Sequence, residues 1–368
     1  MYPDLFPWLR LEQTPGVGAG TARKLLTAFG LPEQIFACSF ERLATEVGPR
    51  IAKALLQTPS SNLLALAEKT QEWCQQPNNH VLTLADASYP PALLEIPDPP
   101  IVLYVKGRLD LLSSRGIGVV GSRHATAQGI RNAEEFSETL SHAGLTISSG
   151  LAAGIDAAAH QGALRGMAST VAVIGTGADI VYPARNRELA HAIADCGCIV
   201  SEYSLGTPAV ASNFRRRNRI ISGLALGVLV IEAAAQSGSL ITARMAAEQG
   251  REVFAIPGSI HSPLAKGCHQ LIKQGAKLVE SAQDILEELQ LTAPTNNVGP
   301  GSVRENDLFH EGLSNDVLLA KIAFDPMPLD TLALASGLDM GYLNAQLLNL
   351  ELAGQIEALP GGLYRRLA

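Results

Sequence analysis

The 368-residue chain has few charged residues, few aromatic residues and only five cysteines. Charged side chains make up 17% of it, aromatic side chains 5% and hydrophobic residues 47%, which is typical of a folded protein rather than a disordered one. None of the five cysteines stands in a C-x-x-C pair, which argues against a disulfide framework or a zinc site.

Long hydrophobic runs are also missing. The longest strongly apolar run, from Ile220 to Ile231, is well short of the roughly 20 residues that span a bilayer. The first ten residues lack the basic and apolar regions of a secretory signal. We therefore expect a cytoplasmic protein of two or three domains with no membrane span and no bound metal.

The first part of the chain predicts a small helical domain followed by a connector. Residues 1–80 have helical apolar spacing, and the segment TPGVG (14–18) is typical of a helix-hairpin-helix turn in a helix-hairpin-helix or SAM-like domain. Such a turn either presents backbone N–H groups to a phosphate or simply packs two helices together. Residues 81–113 contain two proline-rich stretches and are assigned to the connector.

Residues 114–290 predict a Rossmann-like, doubly wound and mostly parallel α/β sheet. Short β-rich runs alternate there with helical segments, and both faces of each run are apolar, as in a parallel sheet covered on both sides. The predicted strands are 117–120, 146–149, 170–174, 199–202, 228–232, 252–256 and 277–279.

The last part of the chain predicts a flexible linker and a winged-helix-like domain. Residues 291–312 form the linker, and residues 313–368 pattern as three helices and a hairpin around Pro360 to Gly362. The expected recognition helix, within 339–353, has no Lys or Arg. Because phosphate contacts dominate DNA affinity, we expect this domain to bind protein or to contact DNA only weakly.

The segment GIGVVG (116–121) satisfies the G-x-G-x-x-G pattern, but its position excludes a dinucleotide site. That fingerprint needs its glycines after the strand, whereas here the apolar strand lies inside the motif. A Gly-Lys-Ser/Thr step after a glycine loop is also missing, so the sequence predicts no Walker A motif and no cofactor.

Glycine-rich and polar loops follow three of the predicted strands, at 121–123, 149–156 and 175–177. The carboxyl ends of parallel strands meet at one sheet edge, where backbone N–H groups attract anions. The segment NFRRRNRIISG (213–223) adds four of the chain's 28 basic residues where a helix is predicted to begin. A cation near a helix N-terminus interacts unfavourably with the helix dipole and costs roughly 0.3–1 kcal/mol of stability. Because several arginines would carry this cost, we infer that a bound anion compensates for it. The alternative is a solvated basic face or ion pairs with Glu202 or Glu232.

The motifs resemble those of the DNA-processing protein A family, also called DprA or Smf. The resemblance covers nearly the whole Rossmann-like region, and the order of the motifs makes it specific. It lies in GVVGSR (118–123), SGLAAGIDAAAH (149–160), YPARN (182–186), RNRIISGL (217–224), EAAAQSGSLITA (232–243) and VFAIPG (253–258). Two departures are Arg215, where the family often has proline, and His269, where asparagine is common.

The resemblance implies a non-enzymatic protein that binds and protects single-stranded DNA during natural transformation. It further implies a homodimer formed through the Rossmann-like domain and loading of RecA recombinase onto the strand. The DNA-binding residues expected from the motifs and their surroundings are Gly121, Ser122, Arg123, Gly150, Gly154, Phe214, Arg215, Arg217, Asn218 and Arg219.

Other interpretations remain open for several residues. His160 and Asp156 could form a catalytic pair, although helix capping or loop ordering is the commoner role. Tyr182 and Phe214 either stack on bases or belong to the core. As a whole, the chain could instead be a nucleotide-binding phosphoribohydrolase-like enzyme of the lysine-decarboxylase-like superfamily, but the Pro-Gly-Gly-x-Gly-Thr loop of such enzymes is replaced here by residues 232–238. An adaptor acting through its terminal domains would leave the arginines unexplained.

Overall fold

The computed structural model describes residues 5–291, 318, 319, 322, 326–336, 338 and 340–367. These residues fall into two compact units, one ending near residue 293 and one C-terminal, and each is described by itself. Within the described ranges, no helix combines the length and the apolar character needed to cross a membrane.

The first unit begins with six helices packed on one another. Their apolar faces form a core that includes Leu9, Leu25 and Leu55 and continues onto Tyr104 and Leu205 of the sheet region. The helices are α1 (Leu5–Gln13), α2 (Ala19–Phe29), α3 (Pro32–Phe36), α4 (Phe40–Val47), α5 (Pro49–Leu55) and α6 (Ser61–Cys74). The helices that the sequence predicts in this region are therefore present, but they share their core with the sheet region and belong to the same unit.

A nine-stranded sheet forms the centre of the first unit. Seven strands are parallel, in the order β6-β5-β4-β3-β7-β8-β9, which confirms the predicted Rossmann-like fold. These strands are β3 (Gly116–Gly121), β4 (Thr146–Ser149), β5 (Thr170–Val173), β6 (Cys198–Ser201), β7 (Gly227–Ile231), β8 (Glu252–Ala255) and β9 (Lys277–Leu278). Because successive strands leave β3 in one direction and then continue from β7 in the other, the topological switch point lies between β3 and β7.

The segment assigned to a connector contributes to this sheet. Strands β1 (Asn79–Thr83) and β2 (Val102–Gly107) pair antiparallel, and β2 pairs antiparallel with β6, with Val105 opposite Val200. Four of the six residues from Val102 to Gly107 are buried apolar side chains. The proline-rich stretch that ends at Pro100, just before this short run, obscured a strand that is buried on both faces.

Helices cover both faces of the sheet. On one face α8, α9 and α14 pack on residues such as Ile117 and Leu229, and on the other α11, α12 and α13 pack on residues such as Val120 and Val228. The helices of this region are α7 (Pro91–Leu94), α8 (Ala127–His142), α9 (Ile155–Arg165), α10 (Arg187–Cys196), α11 (Ala211–Gly223), α12 (Ser239–Glu248), α13 (Lys266–Lys273) and α14 (Ala282–Glu288). Short 3₁₀ helices occupy Leu109–Ser113, Ala184–Asn186 and Pro263–Ala265.

The C-terminal unit has the winged-helix architecture that the sequence predicts. Its elements are β10 (Met327–Pro328), α15 (Leu329–Ser336), α16 (Met340–Leu352), β11 (Ile356–Leu359) and β12 (Leu363–Arg366). The strands form an antiparallel sheet in the order β10-β12-β11, and Gly361 and Gly362 turn the wing with φ of 91° and 70°. Most of the first of the three helices predicted in residues 313–368, and the linker from residue 292 onward, lie outside the described residues.

Candidate nucleic-acid interface

A cleft of about 890 Å³ opens at the switch point of the sheet. Loops after β3, β4 and β7 and helix α11 form its walls. The expected DNA-binding residues that line it are Gly121, Ser122, Arg123, Phe214, Arg215, Arg217 and Asn218. In open α/β sheets this is the position where ligands bind, beyond the carboxyl ends of the strands.

The loop after β3 brings backbone and one free arginine to the cleft. A Cβ on Gly121 would lie 1.8 Å from the carbonyl oxygen of Ile231, so only glycine allows β3 and β7 to approach here. The Ser122 hydroxyl accepts a hydrogen bond from the His124 N–H at 3.1 Å, which orders the turn. Arg123 is exposed, and its guanidinium forms no ion pair with any residue in the described ranges.

Gly150 and Gly154 do not line the cleft but pack against residues that do. A Cβ on Gly150 would lie 2.2 Å from both terminal nitrogens of Arg217, so the guanidinium rests on bare backbone. Gly154 has φ of 77°, and a Cβ there would lie 2.3 Å from the carbonyl oxygen of Ser122. The resemblance implied that both glycines let the backbone approach DNA, whereas here their missing side chains make room for Arg217 and for the β3 loop.

A buried histidine fixes the loop between these glycines. The His160 Nε2 accepts the Leu151 N–H at 3.3 Å, and its Nδ1 lies 2.7 Å from the Thr170 hydroxyl, which itself donates to the Ile147 carbonyl. The Asn186 amide donates to the Leu151 carbonyl at 2.9 Å. These contacts make His160 a loop-ordering residue and give no support to the catalytic pair.

The arginine segment lies inside α11 rather than at its start. Helix α11 begins at Ala211, so Arg215 to Arg219 occupy its second and third turns. The dipole effect falls off within the first turn, and the argument that linked these arginines to a helix N-terminus is therefore wrong. The case for an anion site depends instead on the side of the helix on which each arginine lies.

Arg215 and Arg217 face the cleft in different ways. Arg215 is exposed at its rim. Arg217 is only 4% exposed and donates from Nη1 to the Val173 carbonyl, while its buried Nε has no partner among the described residues. Burial lowers the pKa of Arg217 to about 10, which leaves the side chain cationic at neutral pH. A buried cation with an unsatisfied donor is an energetically favourable place for a phosphate oxygen.

Arg219 does not line the cleft. Its guanidinium is 4% exposed and makes a bidentate pair with Glu202 at 2.7 and 2.8 Å, and its Nε donates to Asp98 at 2.7 Å. Arg216 lies on the same side, with Nη2 3.4 Å from Glu202. For Arg219 the structure shows the alternative, an ion pair with Glu202. This geometry argues against the expectation that Arg219 contacts DNA, because its hydrogen-bonding groups are engaged inside the protein.

Two aromatic rings close one end of the cleft. Tyr182 and Phe214 have ring centroids 5.4 Å apart at an interplanar angle of 37°. Tyr182 is 49% exposed, while Phe214 packs over Gly175, where a Cβ would lie 2.8 Å from the ring. Phe214 therefore combines a packing role with support for an exposed ring that can receive a base.

Sequence reasoning missed the wall opposite α11. This wall comes from the segment after β7 and the first turn of α12, and it contributes Gln236, Ser237, Gly238, Ser239 and Thr242. The Ser237 and Ser239 hydroxyl oxygens lie 2.6 Å apart. The available signal was the polar QSGS stretch (236–239), which belongs to one of the family-like motifs and follows a buried strand, but none of its residues was expected at the site.

The helix-hairpin-helix-like turn lies outside this cleft. It borders a smaller pocket of about 270 Å³ between the helical domain and the sheet, which Glu12, Gly18, Glu202 and Arg216 also line. Burial, with a weaker contribution from Glu202, raises the pKa of Glu12 to about 8. Both roles suggested for the turn, presenting N–H groups to a phosphate and packing two helices together, therefore remain predictions.

The glycines of GIGVVG and the metal-ligating side chains bear on cofactor binding. All of Gly116 to Gly121 belongs to β3, so these glycines form no loop that could hold a dinucleotide. Within the ranges described, no group of three or more His, Cys, Asp or Glu residues has the proximity needed to bind a metal ion.

The fold and the site together define a Rossmann-like α/β protein with an arginine-lined cleft at its switch point and a winged helix domain. Residues 80–290 match the profile of DNA recombination-mediator protein A, and residues 313–362 match the DprA winged helix domain. The chain belongs to the DNA recombination-mediator protein A family, which confirms the resemblance seen in the sequence.

Similar proteins agree with this assignment. The chain is 44% identical to Protein Smf of Escherichia coli K12 over 323 residues, which cover 86% of this chain and 84% of that protein. An X-ray structure of DNA processing protein A from Streptococcus pneumoniae superposes with a TM-score of 0.68 at 39% identity, covering 77% of this chain and 97% of that one. For DNA processing protein A from Helicobacter pylori, whose structural work describes a single-stranded DNA binding mode, the TM-score is 0.53 at 28% identity, covering 57% and 96%.

Proposed function

We propose that this protein binds single-stranded DNA in the switch-point cleft. The observation that carries the proposal is the convergence of Arg123, Arg215 and Arg217 on one cleft at the carboxyl edge of the sheet. Arginine forks match phosphate oxygens, and two of the three are exposed and unpaired within the described part of the chain. The single-stranded DNA binding described for the Helicobacter pylori relative supports the choice of ligand.

A single strand suits the cleft better than a duplex. The arginines line a cleft at the carboxyl ends of the strands, whereas a duplex groove is normally read by a protruding helix or ribbon. The half-exposed Tyr182 at the end of the cleft offers a stacking surface, which a base can reach only when it is unpaired. Phosphates would meet the arginines, and a base would meet this ring.

The wider role follows from the family. We propose that the protein protects single-stranded DNA during natural transformation in the cytoplasm and loads RecA recombinase onto it. In this scheme it acts as a homodimer through the Rossmann-like domain and performs no catalytic step. The family assignment and the cleft support this role, while each of these finer points needs its own measurement.

The first test is the salt dependence of binding to a labelled single-stranded oligonucleotide. Each neutralised phosphate gives a log–log slope of about −0.7, so several contacts should give roughly −2 to −4. Replacing Arg215, an exposed residue of the cleft, with Ala should weaken binding to all sequences alike and make the slope shallower by about 0.7. Arg217→Ala should do the same.

The matched control is Arg50→Ala, which removes the same charge from an exposed position on α5 in the helical domain. It should leave the slope unchanged. A binding constant that does not respond to salt would refute the proposal, and release of free base from a panel of nucleoside monophosphates would favour the phosphoribohydrolase alternative.

A further inference from the structure

One carboxylate lies among the arginines of the cleft. Asp156, in the first turn of α9, lines the cleft and is 8% exposed. The other charged side chains lining the cleft, within the described ranges, are Arg123, Arg215 and Arg217. A buried negative charge in a site that receives phosphates is unfavourable for binding, and its presence there calls for a physical reason.

The surroundings of Asp156 do not cancel its charge. Its Oδ2 accepts the Ala152 N–H at 3.3 Å, and no arginine nitrogen lies within 4 Å of it in the described structure. The cations that act on it at longer range are Arg217 from α11 and, more weakly, Arg123 from the loop after β3. A phosphate beside Arg217 would therefore experience both the attraction of the guanidinium and the repulsion of this carboxylate.

We propose that Asp156 sets the affinity of the cleft, because its carboxylate opposes the phosphates of a bound strand and makes binding depend on uptake of a proton. The inference rests on the proposed single-stranded DNA binding and adds a residue that limits it. A strand held below the maximum attainable affinity can be released to another protein.

The linkage between binding and protons follows from the charges. Burial already raises the pKa of Asp156 above its ordinary value. A bound phosphate adds a second negative charge and raises it further, so the bound state holds more protons than the free state. Affinity should therefore rise as the pH falls. His160, on the same helix, does not contribute, because burial and Arg217 lower its pKa to about 3.

The test compares Asp156→Asn with the unmodified protein. Asn keeps an oxygen that can accept the Ala152 N–H and removes the charge. At pH 8 and fixed salt, we expect the variant to bind a labelled oligothymidylate about fivefold to tenfold more tightly, as expected for loss of one repulsive charge at short range. Between pH 5 and pH 8 the unmodified protein should lose affinity with rising pH more steeply than the variant.

The matched control is Asp195→Asn, which makes the same change in net charge at an exposed position near the end of α10, close to the amino end of β6. It should bind as the unmodified protein does. A His124→Gln variant removes the exposed imidazole beside Arg123 and separates any contribution of that side chain from that of Asp156.

Proton uptake provides a measurement that does not depend on the stability of the Asp156 variant. Calorimetric titration of a His124→Gln variant with oligothymidylate, in two buffers of different ionisation enthalpy, should show uptake of a fraction of a proton. No uptake in that variant, or weaker binding by a folded Asp156→Asn, would overturn the inference. Failure of the unmodified protein to bind the strand at any pH would instead refute the proposed function itself.

Discussion

His160 shows how a single side chain that does not line the cleft can determine its geometry. The imidazole is fully buried, and its Nε2 accepts the Leu151 N–H while its Nδ1–H donates to Thr170. Leu151 has φ of 58°, a conformation that leucine rarely adopts. The hydrogen bonds to His160 and Asn186 stabilise this strained position and thereby fix the Gly150 backbone on which Arg217 rests.

The neutral state of His160 makes folding stability depend on pH. Burial, with a smaller effect of Arg217, lowers its pKa from 6.5 to about 3, so the unfolded chain binds a proton that the folded protein excludes. The free energy of unfolding should therefore be unaffected by this group above pH 6.5 and fall by up to about 1.4 kcal/mol per pH unit between 6.5 and 3.

Urea denaturation at several pH values measures this effect. In His160→Gln the contribution to the slope below pH 6.5 should disappear, although the variant should be less stable at pH 7 because the packing changes. His191→Gln, at an exposed position on α10, is the control and should keep the slope. An identical pH profile for the unmodified protein and His160→Gln would show that another group is responsible.

The residue types at the site could be predicted from the sequence, but their orientations could not. The motifs identified Arg123, Arg215 and Arg217, which all line the cleft. Arg219 was grouped with them because it is adjacent in sequence. Its partner Glu202 is 17 positions away and is brought near it only by the pairing of β6 within the sheet.

At the scale of single elements, a buried ion pair connects helix α11 to the sheet. Arg219 and Glu202 are both 4% exposed at their side chains, and the pair connects α11 to the end of β6. Asp98, in the segment before β2, adds a third contact. The two arginines that face the cleft are thus held on a helix whose opposite side is fixed to the sheet.

Removal of one partner of this pair should be costly. Arg219→Ala leaves Glu202 buried without its main partner, and we expect the free energy of unfolding in urea to fall by about 3–5 kcal/mol. Arg219→Met combined with Glu202→Leu removes both charges and should cost much less.

Measurement of single-stranded DNA binding shows whether Arg219 stabilises the fold or contacts DNA directly. In conditions where Arg219→Ala remains folded, its salt dependence should equal that of the unmodified protein, because Arg219 meets no phosphate. A slope that becomes shallower by about 0.7 would instead place this residue on the strand.

The sequence predicts the parallel strands better than it predicts the antiparallel strand β2. All seven parallel strands correspond to predicted runs. For inner strands such as β3 and β7, the reason is that a strand buried on both faces is a largely apolar segment between turn residues. Strand β2 has the same character but directly follows the proline-rich stretch that ends at Pro100, and its pairing with β6 is a long-range contact that local pattern does not contain.

At the scale of the whole molecule, the residues that line the cleft belong to the first unit, while the winged helix domain belongs to the second. Helix α16 in the second unit exposes Leu348 and Leu352, at 55% and 78%, and it carries no Lys or Arg. Deletion of residues 313–368 should therefore leave the affinity for single-stranded DNA and its salt slope unchanged.

The same deletion is informative for RecA. A loading assay on strands coated with the full chain or the shortened chain measures whether the winged helix domain takes part, since this domain is expected to bind protein rather than DNA. A large loss of strand affinity in the shortened chain would show that the second unit contributes to the DNA site.

The pairing of β2 with β6 has a consequence for how the molecule can be divided. A chain shortened to begin at residue 114 would retain every parallel strand and every residue of the cleft, yet it would lose the strand that pairs with the outer edge of β6. The exposed edge would be short and apolar, from Cys198 to Ser201, with unpaired N–H and C=O groups. Such an edge promotes aggregation. The helical domain and strands β1 and β2 therefore keep the part of the molecule that carries the cleft from aggregating.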